Sequence, residues 1–201
     1  MDGTTAAKLR KEILLTGLGG QGIVLAGQVI GTAACIRDRL ESTFTQSYGP
    51  ESRGGACSAQ VIISDKPIHY PYVRNADILV CMSQSGYEKF RGLLKDDGIL
   101  IIDQDMVRSA ESTGGGIFPI PATRIAEELG RKMMANIVML GFVTSITGAV
   151  SLEGMLTSVA DSVPKGTEET NLAAFNKGYD FGHALLKARQ KKAAAKKGPV
   201  S

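Results

Sequence analysis

Along the chain, short apolar runs alternate with stretches whose apolar residues recur every three or four positions, and the changes of period fall at glycine, proline or polar clusters. The first run, Ile13-Leu14-Leu15, leads straight into Gly17-Leu18-Gly19-Gly20-Gln21-Gly22. Ile23, Val24, Ala26, Ile30 and Ala34 follow at helical spacing, which predicts a strand, a glycine turn and a helix. Residues 43–48 and 56–64 predict two further strands, the second closing on Val61-Ile62-Ile63, and the glycines and proline between them predict a shaped loop. Residues 66–73 carry two prolines and predict a loop before a strand at 76–82. A helix is expected at 83–94, with Tyr87, Phe90 and Leu94 on one face, and Asp97-Gly98 should turn the chain into a strand at 99–102. A short strand at 117–120 precedes Pro121, and Thr123 is placed to cap a helix reaching 129. Helices at 136–150, headed by Asn136 as a cap, at 151–162 and at 167–190 complete the pattern. Alternating strands and helices predict an α/β fold: a single domain with a mostly parallel, Rossmann-like sheet flanked by helices and a helical C-terminal part. The expected limits are a lead at 1–11, the domain at 12–186 and a basic, flexible tail at 187–201.

Composition adds two restrictions. The 201 residues carry a formal charge of +3, but Lys187, Arg189, Lys191, Lys192, Lys196 and Lys197 supply six positive charges in a stretch without acid, so residues 1–186 carry −3. A nucleic-acid-binding face on the domain is therefore not indicated. Residues 1–11 are polar, the run at 13–15 is too short for the apolar part of a signal peptide, and the apolar stretch 137–150 falls short of the ~20 residues that span a bilayer. A cytoplasmic chain without a membrane span is expected. Cys35, Cys57 and Cys81 stand far apart and form no CxxC pair, which argues against a disulfide, a zinc knuckle or a cysteine-held cluster. His69 and His183 have no metal-ligand spacing, and no nucleophile elbow surrounds Ser83 or Ser85, so neither a metal site nor a catalytic residue is assigned.

Two segments can carry binding chemistry. Gly17-x-Gly19-x-x-Gly22 fits the dinucleotide fingerprint, in which glycines let a phosphate approach the backbone and the following helix offers free N–H groups. The ribose-binding acid expected at the end of a second strand is missing, because Asp38 and Glu41 precede the candidate strand. The other reading is that these glycines only let helix and sheet pack closely. Ser47-Tyr48-Gly49-Pro50-Glu51-Ser52-Arg53-Gly54-Gly55 joins a phenol, a carboxylate and a guanidinium on a glycine-rich loop, with Arg53 able to fork onto a carboxylate or phosphate. Here too a plain surface ion pair between Glu51 and Arg53 accounts for the residues.

Taken in order, Gly17 to Gly22, Ser47 to Gly55, the strand end Val61 to Asp65, Ala76-Asp77-Ile78-Leu79-Val80, Asn136 to Gly141 and Asn171 to Gly178 resemble the gamma subunit of 2-oxoacid:ferredoxin oxidoreductases over residues 12–186. The Tyr48 to Gly55 loop is closer to the 2-oxoglutarate type than to the pyruvate type, while branched-chain and aryl oxoacid enzymes remain open. The resemblance implies a multi-subunit enzyme that decarboxylates a 2-oxoacid to an acyl-coenzyme A and passes electrons to ferredoxin or a related acceptor. Thiamine diphosphate, Mg2+ and [4Fe-4S] clusters would sit on alpha, beta and ferredoxin-like delta partners, with no cofactor held tightly by this chain. It also implies phosphate or coenzyme A contacts at Gly17, Gly19, Gly20, Gln21, Gly22 and Arg53. Tyr48, Glu51, Arg53, Gly54 and Gly55 would lie near the thiamine site or a partner. The alternative from the glycine fingerprint alone is an independent NAD(P)-dependent dehydrogenase.

Overall fold

The computed structural model describes residues 9–48, 56–109 and 113–196. Six strands, β1 (Arg10–Leu18), β2 (Glu41–Ser47), β3 (Ala56–Ser64), β4 (Ala76–Cys81), β5 (Leu94–Asp103) and β6 (Ile117–Ile120), form one sheet in the order β2-β3-β1-β4-β5-β6. β1, β4, β5 and β6 pair in parallel, while β3 runs antiparallel to both β1 and β2. Five strands thus share one direction and β3 opposes them. This mostly parallel sheet agrees with the sequence pattern.

The central strands are apolar on both faces because helices and loops cover both. Ile13 and Leu15 of β1 join one core with Val61, Ile63, Val80 and Ile101, whereas Leu14 joins a second core with Ile62, Leu79, Leu100 and Tyr87 on the opposite face. Each of these side chains is at most 4% exposed, and truncating one to alanine would cost about 2–5 kcal/mol. The larger core lies under α1 (Ile23–Thr32), α3 (Ala122–Glu128), α4 (Ala135–Thr147), α5 (Leu152–Ser162) and α6 (Glu168–Lys196). α2 (Gln84–Phe90) contributes Tyr87 to the other face. No helix among the described residues is long and apolar enough to cross a membrane.

Four local expectations are corrected. The helix expected to reach Leu94 ends at Phe90 and passes through a 3-10 turn at Arg91–Leu93, with β5 starting at Leu94. Asp97-Gly98 therefore lies inside β5, in a bulge where residues 95–98 stand opposite Asp77 alone. Lys95 Nζ reaches Asp77 Oδ1 at 2.6 Å, and the Asp96 carbonyl accepts from Gly114 N at 2.7 Å, so the bulge is held from both sides. Pro121, not Thr123, is the N-cap of α3. Thr123 donates through N and Oγ1 to the fully buried Asp103 carboxylate at 2.9 and 2.6 Å. Asn136 is no cap either, since it sits in the first turn of α4. α6 runs unbroken through 186 to Lys196, and Arg189 stacks over Phe118 with its guanidinium 4.0 Å from the ring centre.

Candidate functional site

β1 ends in the glycine turn at the carboxyl end of the sheet. Gly17 is still in the strand and buried, and a Cβ there would meet the Gln21 and Ile23 side chains, so its lack of a side chain serves the turn's own packing. Gln21 closes the turn: its Oε1 accepts from Leu18 N at 2.6 Å and its Nε2 donates to the Met82 carbonyl at 3.0 Å, tying the turn to the end of β4. Gly19 and Gly20 are exposed at the tip. Gly22 is the left-handed N-cap of α1 (φ 71), and Asn136 Nδ2 donates to its carbonyl at 3.2 Å. Of the predicted residues, Gly19, Gly20 and Gly22 are thus presented at the turn, while Gln21's side chain is already engaged.

The second predicted segment is only partly described. Tyr48 is 62% exposed just beyond the end of β2. Glu51, Arg53, Gly54 and Gly55 lie outside the described residues. The register still fixes where this connection starts and ends: Ser47 pairs with Ser58, and Ala56 with Leu18, so its two ends lie at the same end of the sheet as the glycine turn. Tyr48 follows β2, which stands two strand spacings, about 10 Å, from β1.

Beside the turn opens a cavity of about 500 Å³, lined by Gly20, Gly22 and Leu25 on one side, by Arg131 to Met134, Asn136 and Ile137 on another, and by Val163, Pro164, Thr167 and Asn171 on a third. One helix begins at it. α1 lacks a side-chain cap and carries no acid in its first turn, so its free N–H groups and positive dipole end stand beside this space uncompensated. α4 instead continues from the 3-10 turn Lys132–Met134, and the Ala135 N–H already donates to the Lys132 carbonyl. Lys132 pairs with Glu127 at 3.2 Å, whereas Arg131 makes no ion pair among the described residues. Thr167, Asn136 and Asn171 add polar groups to walls that are otherwise apolar. Asn136 and Asn171, 4% and 8% exposed, are the buried amides among the lining residues. Lys132 and Met133 also border a second cavity of about 240 Å³ with Gly20 and Gln21. The arrangement suits an elongated ligand with an anionic end at the turn and an apolar body along the cavity.

Met134 and Met139 are buried, but Met133 is 82% exposed at the cavity edge. Sequence reasoning passed over Arg131 and Lys132, although two adjacent cations before an apolar helix with no acid in its first turn were a readable signal.

The three thiols cannot share a ligand. Cys35 is exposed, Cys57 belongs to one core and Cys81 to the other. Burial raises the Cys57 thiol above its ordinary 9.0, opposed by the backbone N–H groups of Cys57 and Gly17, and burial raises Cys81 further still. Among the described residues no three His, Cys, Asp or Glu side chains approach closely enough to hold a metal ion.

The fold is a mostly parallel α/β sheet, covered on both faces, with a cavity beside the glycine turn at the carboxyl ends of its parallel strands. The dehydrogenase alternative lacks its geometry, because the antiparallel β3 separates β1 from β2 and β2 ends in Ser47, not an acid. Residues 12–181 match the family model for pyruvate ferredoxin/flavodoxin oxidoreductase. The chain is 50% identical over 181 residues to the 2-oxoglutarate synthase subunit KorC of Methanocaldococcus jannaschii, covering 89% of this chain and 97% of that one. It is 33% identical over 176 residues to the pyruvate synthase subunit PorC of Methanothermobacter thermautotrophicus, covering 84% and 94%. The crystal structure of a keto/oxoacid ferredoxin oxidoreductase gamma subunit from Geobacter sulfurreducens superposes with a TM-score of 0.77 at 35% identity, covering 87% of this chain and 99% of that one. The chain therefore belongs to the 2-oxoacid:ferredoxin oxidoreductase family, as a gamma-type subunit.

Proposed function

We propose that this chain serves a 2-oxoglutarate:ferredoxin oxidoreductase by holding coenzyme A, with the phosphate end at the glycine turn and the apolar arm along the adjoining cavity. The 50% identity to a 2-oxoglutarate synthase subunit against 33% to a pyruvate synthase subunit favours 2-oxoglutarate as the substrate of the complex. The observation that carries the binding role is the meeting of the uncapped N-terminus of α1, exposed Gly20, and the cations Arg131 and Lys132 around one cavity. Arg53 joins them as a further phosphate contact, and the loop of Tyr48, Glu51, Gly54 and Gly55 faces the thiamine site or a partner chain.

The reaction chemistry belongs to the other chains. Thiols on opposite faces of the sheet do not fit the ligation of one iron-sulfur cluster. Thiamine diphosphate, Mg2+ and the clusters are accordingly assigned to alpha, beta and ferredoxin-like delta partners in the cytoplasm, with electrons leaving to ferredoxin. What this chain contributes is differential placement: holding the thiol-bearing arm near the acyl group converts an encounter into a positioned reaction.

The test is steady-state kinetics of the assembled complex carrying Gly19→Asp, Arg53→Ala or the double change Arg131→Ala with Lys132→Ala. The coenzyme A KM should rise about tenfold or more, since each lost charge-assisted contact is worth ~1.5–3 kcal/mol. The oxoacid KM should stay fixed. An unchanged coenzyme A KM in all three would reject the reading.

A further inference from the structure

The two edges of the sheet are finished differently. β6 is four residues long, includes Pro119, and its Ile117 carbonyl accepts from Arg189 of α6, so this edge is blunted. β2 is seven residues long, contains neither proline nor lysine, and among the described residues pairs with β3 alone. Six side-chain hydroxyl groups among the described residues are hidden from water without a hydrogen-bond partner, and three of them, Ser42 Oγ, Thr43 Oγ1 and Thr45 Oγ1, stand on β2. Beside the strand lies a groove of about 210 Å³ bordered by Thr32, Cys35, Ile36 and Phe44, with Ile36 64% exposed. A seven-residue edge without proline or lysine, next to an apolar groove, is an unfinished sheet.

We infer that β2 pairs antiparallel with β2 of a second copy of this chain, about a two-fold axis at Phe44. The strand itself selects that occupant, because Ser42-Thr43-Phe44-Thr45-Gln46 reads almost the same in both directions. In this register Thr43 faces Thr45 of the second copy, Ser42 faces its Gln46, and the two Phe44 rings face each other. Hydroxyl pairs and aromatic pairs are the combinations that stabilise neighbouring strands. Glu41, the only charged residue on the strand, falls opposite Ser47, so no like charges meet. α1 packs its Gly27 and Gly31 against Ala59 and Val61 as well as Phe44 and Ser42, and is centred over β3. The two copies of α1 would stand about three strand spacings apart, roughly 14 Å, leaving a trough between them for Ile36 and Phe44 of both copies. The contact is isologous, as a two-fold dimer requires, and it does not depend on the coenzyme A reading.

Sedimentation of the full chain over a range of concentrations tests it. The wild-type chain should pass from monomer to dimer, and Phe44→Lys, which sets two ammonium groups face to face, should weaken the dimer at least a hundredfold while leaving the far-ultraviolet circular dichroism unchanged. Register is read by oxidation in a Cys35→Ser background. Phe44→Cys should form an interchain disulfide readily, whereas Glu41→Cys, whose two copies would lie about 20 Å apart, should not. A wild-type chain that stays monomeric at every concentration, or disulfides formed equally at both positions, overturns the proposal. So does a monomer whose Phe44→Lys variant loses only its capture by other oxidoreductase chains, since the edge would then belong to a different subunit.

Discussion

Two groups of glycines in this chain look alike in sequence and do opposite things. Where α4 crosses α6, Gly141 and Gly178 bring two main chains into contact: a Cβ on Gly141 would strike the Phe175 carbonyl, and one on Gly178 the Val138 carbonyl. Neither oxygen can swing aside, because both belong to helices. At the turn, a Cβ on Gly20 would meet nothing within 4 Å, and only its φ of 93° demands glycine there. One pair of glycines fills space with backbone, while Gly20 keeps space empty. The empty space is the cavity where the ligand is proposed to bind.

The contrast can be broken most forcefully at the helix crossing. Gly178→Ala should destabilise the chain by about 3 kcal/mol or more, since a methyl forced into a packed interface typically costs ~1–3 kcal/mol and the obstacle here is backbone. Denaturant unfolding reads this, and the fraction that still assembles should keep a normal coenzyme A KM. Asn136→Ala comes next, with an expected loss of about 1–2 kcal/mol from the released Gly22 carbonyl. Because Asn136 also lines the cavity, it should move the coenzyme A KM as well as the melting curve. Gly20→Ala sharpens the comparison from the other side: strain of ~1–2 kcal/mol from the left-handed backbone, accompanied by a several-fold rise in coenzyme A KM that Gly178→Ala does not show. A Gly20→Ala variant that loses stability alone would make the turn structural.

The smallest effect concerns the thiols on the two faces. Burial holds Cys57 and Cys81 protonated above their ordinary 9.0 in the folded chain, so their contribution is intact below that pH and declines as pH rises past it, when only the unfolded chain releases protons. Unfolding midpoints should fall between about pH 8 and about pH 10, and the fall should shrink in Cys81→Ala. Near neutral pH, a thiol reagent should label Cys35 in the native chain and all three cysteines in denaturant. Rapid native labelling of Cys57 would show that the strand beside the glycine turn opens easily.

Much of the architecture was legible because it is written in local periods. The strand at 56–64 and the short strand at 117–120 were read to the residue, and the alternation of strands and helices predicted the mostly parallel sheet. Asp97-Gly98 misled because a dipeptide that favours turns is also tolerated in a bulge, and the choice was made by Asp77 on β4 and the 114–116 segment, neither of which is local. Thr123 and Asn136 misled for a similar reason. Both are good capping residues, but their partners, Asp103 and Gly22, lie 20 and 114 positions earlier.

The sequence by itself determined the element pattern, the glycine turn at the end of β1 and the family resemblance carried by segments from Gly17 to Gly178. Each depends on neighbours within a few residues, where steric and hydrophobic periodicity act directly. Only the tertiary structure decided that β3 would enter between β1 and β2, removing the dinucleotide geometry, and that Arg131, Lys132, Asn136 and Asn171 would gather beside Gly20 and Gly22. Strand order is settled by which apolar faces bury one another across tens of residues and the cavity walls across a hundred or more, and neither choice has a local signature.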